Sequence, residues 1–196
     1  MFREAGEYVT IGTSIPAFDE ATVRALEPRA PSPESRIEAL EAFADAGVQV
    51  YVMASPTDPT MDGNDIRNLL ERVWAIDPAV VFYEPFNARS ARLPATIAAA
   101  KSVGHPSVAD AFRELSVDRA WIEYAVRHAR WVQEIGAELS LPIHVCPHWQ
   151  LTRAASEEIR EYFEAWRERQ PPENFAGRPL PEEPPPRPPT GPTSRR

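Results

Sequence analysis

One cysteine, one lysine and no long apolar run are what the sequence offers in three categories, and each scarcity removes a class of protein. Cys146 alone cannot build an internal disulfide framework, which is compatible with a reducing cytoplasm, the expected location. No apolar stretch approaches the roughly 18 residues of a membrane span. The opening MFREAGEYVT lacks the apolar core of a signal peptide, so secretion is not indicated. Lys101 is the single lysine, and the formal net charge of −8 argues against a generic nucleic-acid surface. There is no Gly-rich phosphate loop, no G-x-S-x-G elbow and no H-E-x-x-H pair.

What is present suffices for one core, with 43% hydrophobic residues over 196 positions. Residues 171–196 hold 10 of the 22 prolines and too little apolar surface to offset the entropy of ordering. They are expected to form a disordered or polyproline-like tail, either merely solvated or serving as a proline-motif ligand. The folded domain is therefore expected over 1–170.

Within it, two periods alternate. The runs YVTIGTSI (8–15), VQVYVMAS (48–55), AVVFYE (79–84) and LPIHVC (141–146) are β-branched or aromatic strand candidates. Between them lie helical stripes: Ile37, Leu40 and Ala44, ended by Gly47; Ile66, Leu69, Leu70, Val73 and Trp74; Trp121, Ala125, Ala129, Val132 and Ile135, after the caps Ser116 and Asp118. Ile159, Tyr162, Phe163 and Trp166 form a further stripe, opened by Ser156. Alternating strands and helices predict an α/β fold with about four parallel strands, whose continuous apolar character suits strands covered on both faces. Four strands are few for a closed barrel, so composition leaves a small open sheet and part of a barrel both standing.

Ligands in parallel α/β folds gather at the carboxyl ends of the strands. Those ends carry Thr13 and Ser14; Ser55, Thr57 and Asp58; Glu84, Asn87 and Arg89; and His144, Cys146 and His148. Each has a structural reading beside the functional one. Thr13 and Ser14 can cap a helix beginning near Asp19; Asp58 and Asp62 suit turn and N-cap chemistry. Glu84 can be a catalytic carboxylate or pair with Arg89 or Arg92. His144, Cys146 and His148 are spaced to share a strand face and suit zinc or iron. However, Pro147 breaks the strand between the last two and the motif matches no standard zinc spacing, which favours partly buried core groups. Trp121, Trp131, Trp149 and Trp166 are expected in the core.

One block goes further. VTIGTSI (9–15), LEPRAPSPESRIEAL (26–40), AGVQVYV (46–52) and SPTDPTMDGNDI (55–66) follow one another in an order that resembles the spore photoproduct lyase-like, or DNA repair photolyase-like, branch of the radical S-adenosylmethionine proteins. The resemblance spans about residues 8–90 and is strongest over 26–47. It implies an incomplete barrel of parallel strands, a [4Fe-4S] cluster held by a C-x-x-x-C-x-x-C loop, and S-adenosylmethionine cleaved reductively for radical chemistry, with nucleic-acid repair among the family's activities. By position it assigns Thr13, Ser14, Arg36 and Ser55 to the cofactor, Arg36 as carboxylate partner; it assigns no catalytic residue. The triple-cysteine motif is absent here, so the cluster has no ligands in this chain. The chain is expected to be inactive alone, needing an N-terminal half or a partner subunit. The alternatives are a non-catalytic half-barrel scaffold and a small metal-dependent hydrolase using His144, Cys146, His148 and Glu84. Locally, Ser32 and Pro33 read as N-cap and first helical residue.

Overall fold

The computed structural model describes residues 9–169 and 184–189. Strands β1 (Thr10–Ser14), β2 (Gln49–Met53), β3 (Val80–Tyr83) and β4 (Ile143–Val145) form one sheet, every pair parallel, in the order β1-β2-β3-β4. The helices are α1 (Glu20–Leu26), α2 (Pro33–Asp45), α3 (Gly63–Trp74), α4 (Leu93–Ser102), α5 (Pro106–Glu114), α6 (Asp118–Glu138), α7 (Trp149–Ala154) and α8 (Glu157–Glu168). None is long and apolar enough to cross a membrane.

Each crossover advances the chain by one strand in one direction. Because such crossovers are right-handed, they stack helices on one face of the sheet. The burial pattern follows. Val50, Val52, Val81, Tyr83 and Val145 share one face by register and are at most 3% exposed. Gly136 of α6 lies against Ile143 on this face, close enough that a Cβ there would meet the Ile143 side chain. On the other face Gly12, Ser14, Tyr51, Met53 and Phe82 stay half-buried, while Val80, opposite Tyr51, and His144 are buried. Cover on the two faces is thus uneven rather than equal: the first face is packed by helices, whereas on the other α8 covers only the β4 end, where Trp166 packs on His144.

Local chemistry sets the helix starts. Ser32 caps α2 by accepting from the Ser35 amide at 3.1 Å, with Pro33 as first helical residue. Asp62 and Asp65 form a reciprocal capping box at α3. Asp19 caps α1 through the Thr22 amide, so Thr13 and Ser14 do not serve that role. Three expectations fail here. Val117 is the N-cap of α6 and makes no side-chain cap; the Ser116 carbonyl and Asp118 instead receive Arg89. Ser156 occupies the N-cap position of α8 without a side-chain bond to the helix. Trp74 is 55% exposed, standing at the last residue of α3 while Ile66, Leu69, Leu70 and Val73 of the same stripe are buried. Helices α4, α5 and α7 lie where no stripe was read. α4 and α5 each open with a proline in the first turn, and the Leu-Pro-Ala-Thr-Ile-Ala-Ala-Ala run of α4 is too uniformly small to show a face.

The tail expected over 171–196 falls mostly outside the described residues. Residues 184–189 are described, and their carbonyls contact α6: Gln133 donates to the Pro186 oxygen at 2.6 Å, and Arg130 to that of Pro189.

Candidate ligand site at the carboxyl rim of the sheet

Register places Ser14, Met53, Phe82 and His144 in one row across the four strands. An aromatic ladder crosses this open face. Tyr51 meets Phe82 edge-on at 5.8 Å, Phe82 meets His144 at 5.8 Å, and His144 meets Trp166 of α8 at 5.6 Å. Gly12 makes room for it, since a Cβ there would sit 2.5 Å from the Tyr51 ring. His144 is therefore a core ring, and burial pushes its pKa down to about 4, helped by the nearby Arg169 charge.

Beyond the strand ends the rim becomes polar. A cavity of about 420 Å³ opens there, lined by Glu27, Ser55, Glu84, Asn87, Arg92 and Thr96 among others. Ser55 Oγ donates to the Glu84 carbonyl at 2.8 Å, tying the end of β2 to that of β3. Burial raises the Glu84 pKa, opposed by the positive fields of His148 and Arg92. A carboxyl group and a guanidinium thus share one cavity, a combination that suits a ligand with both polarities. Arg89 does not join Glu84; it pairs with Asp118 and stacks over Trp121.

The wall behind the cavity is held by α6. Tyr124 Oη accepts from the Phe86 amide at 3.1 Å and donates to the Thr57 carbonyl at 2.8 Å, while Trp121 Nε1 donates to the Phe86 carbonyl at 2.8 Å. Thr57 Oγ1, wholly buried, also lies within 3.1 Å of Tyr124 Oη and of His128 Nδ1. Desolvation, reinforced by the Arg127 charge, pushes His128 down to about 3, so it is a neutral ring in a structural network. Asp58 accepts from both the amide and hydroxyl of Thr60, at 2.8 and 2.9 Å, as its turn reading expects; burial raises its pKa. The sequence reading singled out Thr57 but missed Tyr83, Tyr124 and His128. Tyr124 and His128, four apart on α6, were visible only as polar interruptions beside an apolar stripe.

The residues assigned to a cofactor separate. Ser55 lines the cavity. Ser14 faces the same side and reaches the Glu27 carboxylate at 3.4 Å. Thr13 shares register with Val52 and Val81, and so belongs to the opposite, helix-covered face. Arg36 is buried and already engaged: it donates to the Ser14 carbonyl at 2.7 Å and the Pro31 carbonyl at 3.0 Å, and lies 2.6 Å from the Glu27 carboxylate. It closes the β1 rim rather than presenting a free guanidinium.

The residues offered for a metal separate too. His148 caps α7, accepting from the Gln150 amide at 3.2 Å, and His144 sits in the aromatic ladder. Burial, with the adjacent Glu84 charge, pushes the Cys146 thiol up to about 12. Among the described residues no three His, Cys, Asp or Glu side chains group to hold a metal ion. A [4Fe-4S] cluster does not fit either, because it needs three or four thiolates and the sequence has one cysteine, held as thiol. Trp149, expected in the core, is 46% exposed beside His148. Compared with family models, with curated proteins and with solved structures, the chain matches none.

Proposed function

We propose that this chain is the ligand-binding wall of a radical S-adenosylmethionine-type partial barrel, and that it does not carry the radical-generating centre. The observation behind this reading is the sheet itself: four parallel strands in consecutive order, one face left half-open, and a polar cavity at their carboxyl ends. Consecutive winding is that of a barrel, whereas a doubly wound sheet reverses its order at a switch point. The open face then corresponds to a barrel interior. Among the described residues, β1 is hydrogen-bonded to a strand on one side only, and further strands would extend the wall there.

In this reading Glu84 and Arg92 orient a zwitterionic small molecule in the rim cavity. Ser55 fixes the geometry of the cavity through the Glu84 carbonyl. No step of radical chemistry is assigned to this chain, since the cluster that starts it has no ligands here.

Calorimetric titration of the full chain with S-adenosylmethionine tests the reading. Saturable binding, weakened at least tenfold by Glu84→Lys, is expected. Absence of binding, or equal binding by the variant, overturns the assignment of the cavity.

A further inference from the structure

The prolines of residues 184–189 (PPPRPP) fix φ near −65°, which favours an extended, polyproline-like course, and they remove the backbone donors. Such a segment can be recognised through its carbonyls and its ring faces. Two carbonyls three residues apart are taken here: Pro186 by Gln133, and Pro189 by Arg130. Three residues make one polyproline turn, so both oxygens project to the same side.

The receptor has the matching period. Arg130 and Gln133 are three apart on α6 and therefore neighbours on one helix face. The peptide advances about 9 Å between its two carbonyls and the helix only about 4.5 Å between its two donors. The longer arginine side chain bridges that difference. Gln133 is itself oriented: the buried Tyr162 of α8 donates its hydroxyl to Gln133 Oε1 at 3.2 Å, which leaves the amide NH₂ aimed at Pro186. The site thus offers two side-chain donors at a spacing that meets successive polyproline turns, one of them oriented by a tyrosine hydroxyl. Pro189 is buried in the contact, and Arg187 stays exposed.

We infer that the seam of α6 and α8 is a binding site for proline-rich segments, and that residues 184–189 of the same chain are its resident ligand. Residues 170–183, outside the described residues, connect α8 to the ligand. Because ligand and receptor belong to one chain, docking is intramolecular, and intramolecular docking of this kind reaches effective concentrations on the order of millimolar. The site is separate from the rim cavity, sharing no lining residue with it. It is coupled to the open sheet face through α8, where Trp166, four residues beyond Tyr162, packs on His144.

The test is heteronuclear NMR of the ¹⁵N-labelled full chain, reading the Gln133 side-chain amide. Pro186→Gly combined with Pro189→Gly, which leaves the core untouched, is expected to shift that resonance. A synthetic peptide of residues 183–190 is then added to the variant. It is expected to return the resonance towards its wild-type position, saturably and at roughly millimolar concentration. The same peptide with glycine at 186 and 189 is expected to do nothing. A Gln133 amide indifferent to the double substitution overturns the docking. Failure of the wild-type peptide to restore the shift overturns the site as a receptor. Dependence of the wild-type spectrum on protein concentration overturns the intramolecular assignment in favour of exchange between copies.

Discussion

Arg36 and Glu27 form an ion pair at 2.6 Å, with the arginine side chain 7% exposed and the glutamate 25%. The same guanidinium holds the Ser14 carbonyl and the Pro31 carbonyl, so one side chain joins the end of β1, the proline-rich loop and the start of α2. The prolines of LEPRAPSPESR restrict the loop to few conformations, and Arg36 selects the one that closes the rim.

Removing one member of such a pair strands the other. Arg36→Ala is expected to destabilise the fold by about 2–3 kcal/mol in urea unfolding, below the range for fully buried pairs because Glu27 is partly solvated. Arg36→Met combined with Glu27→Gln is expected to lose less than Arg36→Ala alone. Equal losses would show that the pair is not what binds the loop.

Gly12 and Tyr51 provide a packing test. A methyl group at position 12 collides with the Tyr51 ring, so Gly12→Ala is expected to cost about 1–3 kcal/mol. Tyr51→Ala in the same chain opens that space and makes the glycine substitution nearly neutral, a coupling that a double-mutant cycle measures directly. Additive losses would mean that the cost of the methyl group does not come from the Tyr51 ring.

The two depressed histidines make stability depend on pH. In the folded chain His144 protonates only near pH 4 and His128 only near pH 3, whereas the unfolded chain takes up both protons near pH 6.5. Their contribution is complete above about pH 6.5 and is lost as pH falls, towards 4 for His144 and towards 3 for His128. Raised pKa values at Asp58 and Glu84 act in the opposite sense, because the folded state keeps a proton that the unfolded state releases. His144→Phe isolates one histidine and fits the edge-on ladder. Its unfolding free energy between pH 4.5 and 6 should vary less steeply than that of the wild type, by up to about 1.4 kcal/mol per pH unit. Identical slopes would count against the buried neutral ring.

Cys146 is predicted to be inert. With its thiol near pKa 12, the thiolate fraction at pH 8 is about a thousandfold below that of a free cysteine, and native-state alkylation by iodoacetamide should be slower accordingly. Glu84→Gln removes the adjacent negative charge and should speed labelling. A native rate close to that of the chain in guanidinium would refute the buried-thiol assignment.

Much of the frame was legible because its causes are local. Ser32–Pro33 and Asp62 with Asp65 cap their helices within four residues, and the strand runs at 48–55 and 79–84 announce themselves by β-branching. Ser55 and Glu84 were placed at the rim by the rule that strand ends gather ligands, and both line the cavity. The errors have local causes as well. The alanines of α4 give no contrast that would mark a helix face, and the sequence does not place Trp74 and Trp149, because hydrophobicity does not say which neighbour will arrive.

What the sequence determined alone is the alternation of strand and helix, the stiff loop before α2 and the want of cluster ligands, all properties of residue type and near-neighbour spacing. Only the tertiary structure decided that one sheet face stays half-open, that Arg36 spends its charge on Glu27, that His144 packs between Phe82 and Trp166, and that PPPRPP lies against Gln133 and Arg130. Those outcomes depend on contacts between groups as far apart in the chain as Phe82 and His144 or Arg130 and Pro189. Periodicity records which face of an element is apolar, but the partner that buries it, or turns a charge inward, is chosen by packing across the chain.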